Sequence, residues 1–223
     1  LYIRTFAKNK GLVEAAFFSY YPDVEIVEVD DYTEKFPHTT KEMYAQGYNL
    51  WGTEMLLANK DAFPIKSYHD FEAPEEEGQF DPASVFLEVL GKLKKEEMVG
   101  IQILIAPAGN DWVHEWEHLL EKMKEPKMKH GGGHEDKPSL IARSPGETDV
   151  LKAVENNLSK PAFDTLIRFI YLSPKSMFYD SYARKGLIGA FNQYGSLDLN
   201  SFRQNWKIST LTKLWKSPYV FPS

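Results

Sequence analysis

The stretch that most constrains this chain is Gly100-Ile101-Gln102-Ile103-Leu104-Ile105-Ala106, a strongly apolar run without a charge. Such a run predicts a central strand, flanked on both sides. The rest of the sequence must then supply neighbouring strands and covering helices. Leu1–Phe6 reads as a short strand, and Val24–Val29, rich in β-branched residues, as the next. Between them Leu12, Val13, Ala16, Phe17 and Tyr20 recur at helical spacing, and Pro22 ends that helix. The unit is a βαβ crossover of the right-handed kind.

A polar stretch, Asp30–Gln46, leads to Trp51, Thr53, Met55 and Leu57 on one side of a further strand. After an acidic loop, Ala73–Phe80, Asp81-Pro82 marks a helix start: the carboxylate caps free N–H groups, and proline's missing N–H had no partner there. Val85, Phe86, Val89, Leu90 and Leu93 line one face of that helix. The resulting order, β-α-β-β-α-β, predicts an α/β (α+β) fold with a ferredoxin-like domain over residues 1–108, its helices on one face of the sheet. Residues 109–223 read as a more helical second half. Asn110 or Asp111 caps a helix carrying Val113, Trp116, Leu120 and Met123, and residues 125–139 read as a flexible insertion. Ser144-Pro145-Gly146-Glu147 is a capping box opening a helix with Val150, Leu151, Val154 and Leu158. Thr165–Leu172 predicts a strand, and Lys175 to about Tyr194 a helix broken near Gly186 and Gly189, before a basic aromatic tail.

Composition narrows the function classes. With 223 residues, 43% hydrophobic and 26% charged, the chain suits one large domain or two small ones and is not disordered throughout. It holds no cysteine, which excludes disulfides and thiolate zinc sites and fits a reducing compartment. No stretch approaches the roughly 20 apolar residues of a membrane helix; any signal or anchor is expected upstream of Leu1. Net charge is −6. From Arg184 onward six basic residues face the single Asp198, a balance of +5 that leaves −11 for residues 1–183. A basic tail on an acidic body binds a partner or lies on that body, and the second reading is favoured.

His114-Glu115-Trp116-Glu117-His118 fits the zinc-protease pattern H-E-x-x-H. On a helix the two imidazoles share a face and Glu115 is placed to activate a metal-bound water. Its context argues against that chemistry. Glu117 puts a charge between the histidines, His114 lies in the first turn, and Glu121 and Lys124 stand where an extended motif needs glycine and histidine. His130, His134 and Glu135 fall in the expected insertion. The competing reading is an amphipathic helix with His114 and His118 solvated on its flank. No P-loop, G-x-S-x-G elbow or G-x-G-x-x-G run occurs. Asp30-Asp31 is better read as turn capping than as a metal site. Tyr194, Phe202, Trp206 and Trp215 in the tail could stack bases, yet such aromatics are more often packing groups, and nucleic-acid binding is not favoured. Lys10-Gly11-Leu12-Val13 and Lys185-Gly186-Leu187-Ile188 form a weak internal echo.

Several stretches carry a resemblance. They are Tyr2–Thr5, Tyr21–Thr33, Leu50–Glu54, Ile101–Ile105, Ile167–Tyr171, Gly189–Tyr194 and Leu199–Phe202. Through them the chain resembles an uncharacterised family of large proteins from candidate-phylum bacteria. That resemblance implies membrane helices upstream and an association with type IV secretion or conjugation ATPases. It carries over no catalytic residue, metal ligand or cofactor. The expectation is therefore a non-catalytic interaction or scaffold region, cytoplasmic at the inner face of the membrane. Its partners would be proteins such as a secretion ATPase or a second copy of itself, and membrane contact would be made by segments outside this stretch. A zinc metallopeptidase using His114, Glu115 and His118 is the alternative.

Overall fold

The computed structural model describes residues 1–72, 81–125, 127–129, 139–141, 143–178, 182–207 and 210–211. It divides into two compact units, Leu1–Thr39 and Thr40–Ser223.

In the first unit, helix α1 (Lys10–Tyr20) forms where the apolar spacing predicts it, and it buries none of its residues. The two strands expected beside it are absent. Among the described residues Leu1–Phe6 and Val24–Val29 pair with no other segment, so the predicted right-handed crossover does not appear. β-propensity reports fitness for a pleated, half-buried surface, and among the described residues neither stretch has a strand neighbour to supply one. Two exposed ion pairs lie within this unit. Arg4 Nη1 lies 3.1 Å from Asp31 Oδ2, and Lys10 Nζ 2.8 Å from Glu28 Oε2.

The second unit carries the sheet. Helix α2 (Thr40–Ala45) ends at Gly47, whose φ of +79° is the left-handed turn glycine adopts without steric cost. Strand β1 (Tyr48–Leu57) follows, then helix α3 (Ala83–Gly91) and strand β2 (Met98–Pro107). Asp81 Oδ1 accepts the Ala83 N–H at 2.8 Å, as its position before Pro82 predicts. Helix α4 (Asp111–Lys124), a short hairpin of β3 (Lys127–Lys129) and β4 (Ser139–Ile141), and helix α5 (Pro145–Leu158) come next. Strand β5 (Phe163–Pro174), helix α6 (Tyr182–Asn192) and the short strands β6 (Phe202–Gln204) and β7 (Thr210–Leu211) complete the described elements. Gly186 and Gly189 do not interrupt α6. The hairpin occupies the margins of the expected insertion 125–139; most of that insertion lies outside the described residues, as does the acidic loop Ala73–Phe80.

The main sheet runs β2-β5-β1-β6, with β7 also on β1, and every pairing is antiparallel. Strands β1 and β2 are thus parallel to one another with β5 between them, and β5 and β6 are parallel with β1 between them. Each half, β1-α3-β2 and β5-α6-β6, is a split β-α-β unit, and together they make the ferredoxin-like arrangement. The fold class is the expected one, but it sits elsewhere on the chain. Its strands come from both sides of residue 108, and residues 108–162 form an insertion between its halves. The structural repeat is also a different one from the sequence echo: Lys10–Val13 opens α1, outside the sheet, whereas Lys185–Ile188 lies in α6.

The register explains the core. Trp51, Thr53 and Met55 stand opposite Tyr171, Phe169 and Ile167, which in turn stand opposite Val99, Ile101 and Ile103. All share the face that α3 and α6 cover, where Val89, Leu187 and Phe191 close the cluster. Aromatic contacts run through it. Phe169 meets Trp51 edge-on with centroids 5.1 Å apart, and Phe191 meets Phe86 at 5.0 Å and Phe202 at 5.4 Å. On the other face Gly52 lies opposite Ile170, and a β-carbon on it would meet Ile170 Cγ2 at 3.0 Å and the Phe169 carbonyl at 3.1 Å. That carbonyl belongs to the neighbouring strand and cannot retreat cheaply. Gly52→Ala is expected to destabilise the fold by about 1–3 kcal/mol, the usual cost of overpacking, read from the shift in a urea unfolding midpoint.

A second, smaller core lies between α4 and α5. Ala62, Val154 and Leu158 are buried there against Phe63, Trp112, Trp116, Leu119, Leu120 and Met123. The predicted capping box opens α5: Ser144 Oγ accepts the Glu147 N–H, and Glu147 Oε2 accepts the Ser144 N–H at 3.0 Å.

The placement of the apolar run is the main correction. Gly100–Ala106 is a strand, but β2 stands at the edge of the sheet rather than its centre, and its second half is exposed. The centre belongs to β5 and β1.

Candidate functional site

The H-E-x-x-H motif occupies the first half of α4, where Trp112, Trp116 and Leu119 turn toward the second core. That burial fixes the rotation of the helix and leaves His114, Glu115, Glu117 and His118 exposed. Val113 and Leu120 are half-buried, so the amphipathic pattern is the expected one with Trp112 and Leu119 added to its apolar face. Asn110 precedes the helix without a side-chain capping bond.

On this exposed face His114 Nδ1 lies 2.7 Å from Glu117 Oε1, the charged residue inside the motif. The pair is an i,i+3 helix contact of the sort that stabilises exposed helices by a few tenths of a kcal/mol. It recurs elsewhere on the surface: His69 Nδ1 sits 3.2 Å from Glu72 Oε2, and His38 Nε2 3.3 Å from Glu34 Oε2. A zinc ligand instead needs its imidazole held by a supporting shell, with two further donors converging on it. Among the described residues no group of three or more His, Asp or Glu side chains converges in that way. His130, His134 and Glu135 lie outside the described residues.

The other candidates resolve into structural roles. Asp31 caps the short 3-10 turn Tyr32–Lys35, accepting from the Thr33 N–H at 2.9 Å and the Thr33 hydroxyl at 2.7 Å. These hydrogen bonds, helped by Arg4, hold its carboxyl below the usual carboxylate range. Of the tail aromatics, Phe202 packs against the main core, and Tyr194 meets Phe71 at 5.7 Å and Phe86 at 6.3 Å. Trp206 is exposed, and Trp215 lies outside the described residues.

Sequence reasoning overlooked three buried polar features. Tyr171 hydroxyl donates to Glu97 Oε1 at 2.6 Å, while Glu97 Oε2 accepts the Lys94 N–H at 2.7 Å. Asn49, fully buried opposite Ser173, has no partner for its side-chain amide among the described residues. Asn200 is the best connected. Its Oδ1 accepts from the Asn59 and Ser201 N–H groups at 2.8 and 3.0 Å, and its Nδ2 donates to the Lys60 and Phe63 carbonyls at 3.1 and 2.9 Å. Beside it lies a solvent-open cleft of about 460 Å³, lined by residues such as Asn59, Asn192, Ser196 and Leu199. Among the described residues its lining carries amide, hydroxyl and apolar groups but no ionisable side chain. None of these residues belongs to a recognisable motif, although Tyr171 and Asn200 fall within stretches that carry the resemblance.

No helix among the described residues is long and apolar enough to cross a membrane. A family model described as "Domain of unknown function (DUF8128)" matches residues 9–217. No curated protein matches the chain. No solved structure matches it either.

Proposed function

The chain belongs to the DUF8128 family, a domain of unknown function, and from that premise we propose that it is a non-catalytic interaction region of a membrane-linked secretion or conjugation machine. In this reading it positions a type IV secretion or conjugation ATPase at the inner face of the membrane, and segments beyond residues 1–223 provide the anchor. The observation that carries the interaction role is the surface of the Leu1–Thr39 unit. Helix α1 buries nothing, and Leu12, Phe18, Tyr20, Tyr21, Val27 and Val29 are all exposed. Exposed apolar surface on that scale marks protein or membrane contact. The resemblance to secretion-associated proteins supplies the kind of partner.

Calorimetric titration of the chain with a type IV secretion ATPase from the same genome tests the reading. Binding is expected, with a loss of about tenfold or more when Leu12 and Val27 are both changed to lysine, since each lysine desolvates a charge in an apolar contact. The zinc peptidase alternative is separated by metal content and Glu115→Gln. Absence of ATPase binding, together with stoichiometric zinc and a peptidase activity that Glu115→Gln abolishes, would overturn the proposal in favour of the enzyme.

A further inference from the structure

Strand β2 has the sequence of a strand flanked on both sides and the position of a strand flanked on one. Among the described residues β5 alone pairs with it. Its ten residues carry no charge, and their one proline, Pro107, stands at the last position, so the edge lacks the lysines, mid-strand prolines and bulges that usually keep strands from pairing with other chains. Helices α3 and α6 cover Val99 and Ile101 but leave Ile103 and Ile105 on the same face open, at 62% and 66% exposure. Phe163, opposite Pro107 and on that face, is 56% exposed, and Leu104 on the other face 44%.

The strand is also self-complementary. An antiparallel pair of identical strands has its two-fold axis normal to the sheet, which keeps side chains of like parity on one face. Centred on Ile103, such a pair sets Ile103 against itself and Ile101 against Ile105 on the helix-bearing face, with Val99 against Pro107, and Gly100 against Ala106 and Gln102 against Leu104 on the other. The isoleucine row therefore meets its own copy, and no charge meets another. A shift of one residue would turn the isoleucine row of one copy toward the opposite face of the other.

We infer that β2 is a homodimer interface. Two copies pair antiparallel about Ile103 and join their sheets into one, with the α3 and α6 layers of both copies on the same side. The occupant is a second copy rather than an unrelated strand because the exposed row Ile101-Ile103-Ile105 is matched by its own copy in this register. A single strand edge with its exposed apolar side chains makes a small interface, so the dimer is expected to be weak and concentration-dependent.

The absence of cysteine makes a direct test available. Sedimentation velocity of the 223-residue chain from about 1 to 100 μM should show a monomer–dimer equilibrium, in keeping with so small an interface. Ile103→Cys places two thiols across the axis, where antiparallel Cα separations of about 4.5–5.5 Å fall within disulfide range. Mild oxidation should cross-link it far faster than Leu197→Cys, a more exposed control ahead of strand β6 in the chain. Ile103→Lys should weaken self-association at least tenfold with an unchanged far-ultraviolet circular dichroism spectrum, because two like charges then face each other. A chain that stays monomeric throughout, or a dimer whose Ile103→Cys form cross-links no faster than the control, would overturn the inference.

Discussion

Phe169→Ala is expected to cost about 3–5 kcal/mol, a large share of the stability of a single domain. Phe169 is 1% exposed on the central strand β5 and touches Trp51 and Phe191. Its Cα partners are Thr53 on β1 and Ile101 on β2, so the ring fills the middle of the layer between sheet and helices. Truncation removes the transfer energy of the ring and leaves a void walled by stiff aromatics. Phe191 meets Phe86 and Phe202 edge-on, so it cannot swing into the space without losing those contacts. Urea unfolding monitored by tryptophan fluorescence reads the loss directly. Phe169→Leu should recover more than half of it, because most of the volume returns. A cost below about 1.5 kcal/mol for the alanine variant would mean that the core closes over the gap, and this account of its rigidity would be wrong.

The second large effect is expected at Asn200, which has no apolar contribution to lose. Its amide satisfies two N–H groups and two carbonyls of the segments Asn59–Phe63 and Ser201. Asn200→Ala leaves those groups without their partner at a site only 2% exposed. The penalty is about 3–5 kcal/mol, from several unsatisfied groups at roughly 1–3 kcal/mol each with partial relief by entering water. Asn200→Asp supplies a diagnostic. The carboxylate still accepts from both N–H groups but faces carbonyl oxygens where Nδ2 donated, so the folded state favours the protonated acid. Its folded pKa is thereby raised above the unfolded value of about 3.9, and the stability gained by protonation is complete below that value and lost as pH rises through the folded pKa. The deficit of Asn200→Asp relative to the parent should therefore be smallest in acid and grow toward neutrality, whereas that of Asn200→Ala should not follow this course. Equal deficits for both variants at pH 3 and pH 7 would exclude a donating role for Nδ2.

Much of the fold could be read from the sequence, because the signals for β1, α3, β2, α4, α5 and β5 are local. Alternation of Trp51, Thr53 and Met55, the Asp81-Pro82 start and the Ser144–Glu147 capping box each depend on neighbours a few residues away, and each appears in the structure. What the sequence did not show was non-local. Leu1–Phe6 and Val24–Val29 have strand composition but, among the described residues, no strand to pair with, and composition cannot supply one. The apolar run of β2 gave its type and not its rank in the sheet, which is set by the contact of β5 with both β1 and β2. At the candidate site, the pattern His114–His118 was legible as a motif and equally as one side of an amphipathic helix. The rotation of α4, fixed by Trp112, Trp116 and Leu119, turned those side chains outward. Asn200 escaped notice because a buried asparagine that ties two loops together looks, in sequence, like any turn residue.

The split arrangement of the sheet also sets the order in which a growing chain can acquire it. Strands β1 and β2 are made first, but they run parallel with a one-strand gap between them, so neither can form a ladder with the other. Both wait for β5, which begins at Phe163 and whose last paired residue, Pro174, meets Tyr48 at the far end of the ladder. At synthesis rates of roughly 5–20 residues per second, the apolar β2 segment spends several seconds outside the ribosome without its native neighbour. Loop closure over that distance also makes for slow refolding, since non-local pairing must be reached before it is rewarded. The nascent β1-α3-β2 half is thus the state of this protein most exposed to aggregation and in greatest need of a chaperone.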